Sequence, residues 1–512
     1  MDESNGDDSI FRDLFRSGAI VFVGFVLEMG IAFLAKAIVA RELARADYGS
    51  IAIGATLLAT VSSLSLLGLH DAVGRYLPRF DASDERRGVL FSALQMVLPV
   101  AALASVGLYA GADLLATRAF GDPGTASVIR IFAFAVPFAV LTKIALGGVQ
   151  GSQLTTPKVY IQNLTLPVSR FSLVAVVVIL GFGVIGVAYA YVLPHVLAGV
   201  LGLYFLYSRT DLLSGSEYVP RRRDMLVFSA PLVLTSVMSE ILSDIDTYLI
   251  GYLVGVGPVG TYNVVYPLAE ITKVMLLSFG YIITPIFSEL QAGSRQARAR
   301  EVYAVATKWT LLSTLPMVLG LLLFPELAIT LTFGAKYIDG ATALQILSLG
   351  FLFHAFLGPN AHVLKAFGET KRFFYYNAAA AALNVVVNLL LIPRFGITGA
   401  AAATLLSTVL MNSFYNLHLY RGHDISPVSS GMLAPGAAVT ATVVGIYLLA
   451  DAVLADRLVV LAAVVIPSAA LYPVLLVQFG GVGDEEVMIV ESVEDRFGID
   501  LGRVKRLFGR LS

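Results

Sequence analysis

The stretch Asn384–Thr404, NVVVNLLLIPRFGITGAAAAT, joins two apolar runs of very different texture. The first carries Asn384 and Asn388, Pro393 and Gly396 interrupt the chain, and the second is built almost wholly from Gly, Ala and Thr. In a bilayer such a pattern has a direct reading. Lipid supplies little hydrophobic drive between helices, so close backbone approach at small residues and hydrogen bonds between side chains hold them together. Residues i and i+4 share one helix face. Asn384 and Asn388 are therefore expected to hydrogen-bond across helices, and the Ala-rich run to pack closely against its neighbours.

The whole chain supports a bilayer as its solvent. Of 512 residues, 57% are hydrophobic and 14% charged, with a mean hydropathy of +0.80; an ordinary soluble domain is about 25% charged. Apolar segments repeatedly reach the roughly 20 residues that cross a membrane. The expected fold class is all-α integral membrane, with about fourteen spans near 18–40, 50–69, 89–112, 126–147, 160–180, 184–207, 226–253, 260–283, 303–324, 341–364, 374–392, 397–420, 431–450 and 457–478. The absence of cysteine excludes disulfides, thiolate metal sites and a cysteine nucleophile. The acidic start, MDESNGDDSIFRDLFR, lacks the basic region and cleavage site of a signal peptide, so the first span is expected to be retained. No G-x-x-x-x-G-K-[ST] loop is present, which excludes P-loop ATP hydrolysis within the chain.

Lys and Arg set the sidedness. Loops after even-numbered spans carry roughly sixteen, from Arg75 to Arg421 and counting Lys308, against roughly seven after odd-numbered spans. That places the even loops and both termini in the cytoplasm of a multi-pass protein of the cell membrane. Trp309, beside Lys308, is expected at a membrane interface.

The chain also echoes itself. LGFGVIGVAYAY (180–191) returns as PRFGITGAAAAT (393–404), LARADYGSIAIG (43–54) as LVGVGPVGTYNV (253–264), and Glu28 as Glu240, all at an offset of about 210 residues. Six spans separate the copies, an even number, so they keep one orientation. The expectation is two six-helix lobes around a central cavity, plus two C-terminal helices. The corresponding divisions are a cytoplasmic N-terminus (1–17), an N-lobe (18–210), a linker (211–225), a C-lobe (226–422), spans thirteen and fourteen (431–479) and an amphipathic tail (484–512). In that tail Phe497, Leu501, Val504, Phe508 and Leu511 form an apolar stripe flanked by basic residues, suited to an anionic leaflet.

At these residues a family becomes visible. LNVVVNLLLIPRFGITGAAAATLLSTVL resembles the eleventh and twelfth spans of the polysaccharide-export flippases, relatives of the multidrug and toxic compound extrusion antiporters and the lipid II flippases. The resemblance extends through ARELARADYGSIAIGA, SDIDTYLIGYLVGVGPVGTYNVVYPL, FGAKYIDGATALQILSLGFLF and LKAFGETKRFFYYN. It covers essentially residues 10–420 and implies two lobes facing a central cavity. The implied cargo is polyprenyl-phosphate- or polyprenyl-diphosphate-linked oligosaccharide, moved from the cytoplasmic to the outer leaflet.

Independently, the residues themselves require a polar interior. Glu28, Lys36, Lys143, Arg170, Glu240, Asp244, Asp246, Glu270 and Lys273 all fall within spans. Each costs roughly 2.5–3.5 kcal/mol at the bilayer centre if it faces lipid. Arg170 and Lys273, one in each lobe, are candidates for binding phosphate, since fixed cations replace the water and counter-ions that a diphosphate leaves behind. Lys36 and Lys143 are subsidiary candidates, and Arg170 also matches a basic position of the family's fifth span. The bland alternative is that Arg170 and Lys273 neutralise carboxylates such as Glu28 and Glu270. Glu240 and Asp244 lie one turn apart, an arrangement suited to H+ or Na+ coupling or to structural pairing. Asp246, which matches the family's seventh-span aspartate, is expected to tie its helix to a neighbour. His195, His354 and His362 read as hydrogen-bonded packing residues. Pro167, Pro231, Pro258, Pro267 and Pro285 mark bends suited to hinges or to packing.

Three functions compete at this level: a lipid-linked oligosaccharide flippase, a cation-coupled multidrug antiporter, and a membrane oligosaccharide ligase or polymerase. Arg170 and Lys273 weigh against the second. The third needs catalytic groups on a substantial outer loop, and the stretches near 113–125 and 325–340 offer few. The expected partners are lipid-linked oligosaccharide, membrane lipids, H+ or Na+ and glycan-assembly enzymes. Nucleic acid is not expected, and neither a cofactor nor catalysis.

Overall fold

The computed structural model describes residues 27–215, 217–292, 296–428 and 430–479. The expectations for the segment 1–17 and the tail 484–512 lie outside those residues. Every regular element among the described residues is helical. Ten helices are long and apolar enough to cross a membrane, or eleven if a bent pair, Arg222–Glu240 and Leu242–Leu253, counts as one span. Among the described residues the expected stretches fall largely on helix, and broken and merged helices make the two counts differ. Span eight, for example, is divided between Val256–Glu270 and Val274–Ala292 by a short 3-10 turn, Ile271–Lys273.

The described residues form two compact units. The first runs to Val264 and includes Asn388–Ile397; the second comprises Val265–Val387 and the chain from Thr398.

The first unit contains α1 (27–42), α2 (Arg45–Ser65), α3 (Leu69–Tyr76), α4 (Ser83–Ala110), α5 (Thr125–Gly151), α6 (Thr155–Ile179), α7 (Gly183–Arg209) and α8 (Arg222–Leu253). At its centre α5 packs against α2, α3, α4 and α7. Small residues make this possible. A Cβ added at Gly54 would sit 2.3 Å from the Phe132 ring, and one at Gly147 would sit 2.5 Å from the His70 carbonyl oxygen. The echoed stretches 43–54 and 253–264 meet each other here. A Cβ on Gly49 would lie 2.0 Å from the Val256 carbonyl oxygen, and one on Gly260 would lie 2.3 Å from that of Arg45. Arg45 donates to Thr261 Oγ1 at 2.8 Å beside this crossing. The glycines of the repeat therefore act as its contact surface.

The second unit continues with α9 (Val256–Glu270), whose first turns belong to the first unit, then α10 (Val274–Ala292), α11 (Gln296–Leu323), α12 (Ala341–Leu357), α13 (Asn360–Ala366), α14 (Thr370–His423), α15 (Ser430–Val453) and α16 (Arg457–Gln478). Helix α11 packs against α10, α12 and α15. The chain breaks after Leu357, where Gly358 adopts φ +72°. Tyr303 Oη (2.6 Å) and Asn416 Nδ2 (3.3 Å) donate to the Leu357 carbonyl that this break frees, which satisfies a helix end that water cannot reach. Outer faces of α15 and α16 expose Leu449, Val453 and Ile466, the surface expected against lipid tails.

Lys308 corrects one expectation. It is not a loop cation: α11 begins at Gln296, well before the apolar run, so Lys308 lies inside the helix and is buried, with 4% of its surface exposed.

The α14 hairpin answers the question raised by its sequence. The helix is interrupted at Gly396 (φ 57°, ψ −134°), shortly after Pro393, so α14 is two antiparallel arms. Asn384 donates to Ser407 Oγ on the opposite arm at 3.2 Å. Asn388 donates to Asp246 Oδ1 on α8 at 2.7 Å. Both amides are fully buried.

Candidate functional site

Within the first unit a cavity of about 750 Å³ opens among α1, α2, α5, α6, α7 and α8. Its lining brings together Glu28, Lys36, Lys143, Arg170, Glu240 and Asp244. Six of the nine charged residues singled out above thus share one wall-lined space. They come from α1, α5, α6 and α8, where ionisable side chains on otherwise apolar helices turn away from lipid.

Helix α6 is the most specialised of these walls. Its first half contains a π-turn, Tyr160–Thr165, directly before Pro167. Pro167 has no N–H to give to the carbonyl of residue 163, and a π-turn relieves the clash that a proline imposes on a regular helix. The turn presents Gln162 to the cavity and buries Asn163, whose Nδ2 donates to Glu28 Oε2 at 2.6 Å. Lys143 and Arg170 both act electrostatically on that carboxylate.

One turn below, the Arg170 guanidinium stands 4.9 Å over the ring of Tyr191. A ring face stabilises a cation in a dry site. The buried Arg170 Nε has no hydrogen-bond partner among the described residues. An Arg held by one ring and a neighbouring carboxylate retains donors for an anion.

On α8, Glu240 and Asp244 lie one turn apart in the cavity lining, with Lys36 in the same lining. Two neighbouring carboxyls out of water favour a shared proton or a cation. Asp246 is not part of the lining. It is buried and accepts from Tyr262 Oη at 2.5 Å and from Asn388 Nδ2 at 2.7 Å. Lys273 and Glu270 belong to the second unit and pair with each other at 3.0 Å. The Lys273 ammonium also lies 4.5 Å over the Phe351 ring.

A smaller cavity of about 330 Å³ adjoins the first, sharing His70, Asp71, Lys143 and Gln162 and adding Arg75 and Lys158. His70 lies on α3, the short helix joining two spans. Burial holds its basicity below the ordinary histidine value; Asp71 opposes this and Lys143 reinforces it. Of the other histidines, His195 lines the large cavity, and His362 Nδ1 meets Thr284 Oγ1 at 3.2 Å.

Asn163, Tyr191, His70 and Gln162 escaped the sequence reading. Neutral polar residues in a span attract less notice than charges do. A search for Asn or Gln in the two turns before an in-span proline would have found Gln162 and Asn163.

Comparison with known proteins follows the same lines. The profile of the family described as polysaccharide biosynthesis protein matches residues 38–342. An uncharacterized membrane protein, MJ1068 of Methanocaldococcus jannaschii, is 32% identical over 175 residues, covering 34% of each chain. The match thus spans about a third of that relative's length. The probable low-salt glycan biosynthesis flippase Agl15 of Haloferax volcanii is 23% identical over 403 residues, covering 77% of this chain and 81% of its own. Among solved structures, lipid II flippase MurJ in an inward closed conformation matches with a TM-score of 0.73 at 14% identity, covering 90% of this chain and 98% of its own. At that identity the likeness speaks to fold.

Proposed function

The chain belongs to the family of polysaccharide biosynthesis proteins, and from that premise we propose that it flips polyprenyl-phosphate- or polyprenyl-diphosphate-linked oligosaccharide from the cytoplasmic to the outer leaflet of the cell membrane. The observation that carries this reading is the cavity holding Arg170, Lys143 and Lys36 inside a membrane-spanning unit. A phosphate cannot enter hydrocarbon without donors to replace its water. Arg170 is the principal phosphate ligand, using the donors that Tyr191 leaves unengaged. Lys143, which lines both cavities, receives the headgroup from the side of Arg75 and Lys158. Lys273 serves as a further phosphate contact by exchanging Glu270 for the cargo.

Glu240 and Asp244 supply the coupling, taking up H+ or Na+ when the cargo leaves, and Glu28 balances Arg170 when no phosphate is present. Both termini are cytoplasmic in this arrangement. The protein makes and breaks no covalent bond; glycan-assembly enzymes provide its substrate. The name of the Agl15 relative, a probable flippase, supports this reading. The acidic pair on α8 gives an antiporter for cationic amphiphiles its best footing, yet Arg170 and Lys143 in the same cavity oppose such a cargo.

The experiment is flipping in proteoliposomes of a polyprenyl-diphosphate-linked disaccharide, followed by an impermeant enzyme that modifies only exposed sugar. Protein-dependent acceleration supports the proposal. A rate equal to that of empty vesicles, with a cationic dye transported instead, would replace it with the antiporter.

A further inference from the structure

Away from the cavity, Glu369, His418 and His423 converge at one end of the α14 hairpin. Glu369 immediately precedes the first arm, after Gly368 at φ +73°, and the two histidines lie on the last turns of the second. Glu369 Oε1 is 3.6 Å from His418 Nε2 and 3.9 Å from His423 Nε2. Ligand atoms of the three residues all lie within 4.8 Å of one another. Two imidazoles and a carboxylate around a tetrahedral Zn2+ stand about 3.3 Å apart, given metal–ligand bonds of about 2.0–2.2 Å. Side-chain adjustment of well under a rotamer change closes that difference.

We propose that Glu369, His418 and His423 bind a divalent transition-metal ion, Zn2+ by donor chemistry, which staples the two ends of the α14 hairpin together. The donors are built in rather than scattered on a surface. The His418 side chain is 8% exposed. The His423 ring rests 4.5 Å from Phe367, and its backbone carbonyl accepts from Gln296 Nε2 at 2.7 Å. Next to it, Asp424 pairs with Arg300 at 2.7 Å.

Arg372 shows which charge the cluster accommodates. Its Nη1 lies 2.7 Å from His418 Nε2 and 3.0 Å from Nδ1, and 3.8 Å from Glu369. A guanidinium carries a fixed positive charge, so a cation already sits against this cluster. The Arg372 side chain is half exposed, and an exposed ion pair of this kind contributes little, so a divalent ion can displace it. Water completes the coordination.

The test uses the full chain in nanodiscs, purified without a polyhistidine tag, stripped with chelator and titrated with Zn2+ by calorimetry. Co2+ serves as a spectroscopic probe of four-coordinate geometry. The expected result is one ion per chain with a raised unfolding temperature. His423→Ala and Glu369→Gln should each weaken binding beyond the roughly 10–100-fold that loss of an outer supporting partner causes. Arg372→Ala should tighten it. His423 is partly exposed, so its loss leaves the fold intact even where His418→Ala does not. Unchanged affinity in His423→Ala, or weaker binding in Arg372→Ala, overturns the proposal. It is independent of the transport reading, because nothing in it depends on cargo.

Discussion

Asn388 donates a 2.7 Å hydrogen bond to Asp246, a residue 142 positions away, with both side chains buried. Tyr262 donates to the second oxygen of the same carboxylate. This tie fixes α8, which carries Glu240 and Asp244 on a different face, against the tip of the α14 hairpin. Asn388→Leu strands part of a buried carboxylate and should destabilise by about 1–3 kcal/mol. Adding Asp246→Leu should recover much of that loss, because the stranded charge goes with it. Thermal unfolding of the two variants in nanodiscs decides the matter. A double variant no better than the single one means the pair does not act as a tie.

Gly49 and Gly260 set the closest crossing of the echoed segments. Gly49→Ala places a methyl against the Val256 carbonyl and should cost about 1–3 kcal/mol through overpacking. Gly257→Ala, where an added Cβ meets nothing within 4 Å, is the control and should be close to neutral. Equal unfolding temperatures for the two would contradict the packing account.

Removing the Arg170 donors should act on cargo more than on fold. Charge-assisted hydrogen bonds are worth about 1.5–3 kcal/mol, so Arg170→Gln should slow flipping by roughly 10–100-fold. Arg170→Lys, which keeps charge but loses the planar fork, should fall between. Flipping rates normalised to folded protein provide the comparison.

Lys273 and Glu270 distinguish a structural from a cargo role in the second unit. Glu270 is about half exposed, so Glu270→Gln should change stability by less than about 1 kcal/mol. If Lys273 also meets phosphate, Lys273→Gln impairs flipping and Glu270→Gln does not. Equal impairment from both would reduce Lys273 to a partner of Glu270.

The acidic pair on α8 carries the coupling claim. Asp244→Asn should abolish the acceleration of flipping by an imposed H+ or Na+ gradient, while exchange without a gradient persists. The measurement is the ratio of the two rates. A ratio matching the unmodified protein would remove Asp244 from coupling.

Particular residues show what the sequence revealed and what it hid. The tie through Asp246 and the packing role of Asn384 and Asn388 were legible, because helical spacing and the cost of a buried amide leave few other uses. The charges lining the cavity were legible as a set for the same reason. Their arrangement was not. The π-turn at Tyr160–Thr165 shifts the helical register by one residue, so a regular 3.6-residue wheel misplaces Asn163 relative to Glu28. Lys308 was misassigned because hydropathy locates the apolar run and not the start of the helix. Glu369 is far along the chain from His418 and His423, and only the break at Gly396, which folds α14 back on itself, brings it to them.

The central claim is the cargo, and the most direct measurement is the amount and sidedness of polyprenol-linked oligosaccharide in membranes with and without this protein. The account predicts that a completed species accumulates on the cytoplasmic face in its absence, and that the Arg170→Gln variant fails to clear it. A lipid-linked pool unchanged in both amount and sidedness would contradict the account.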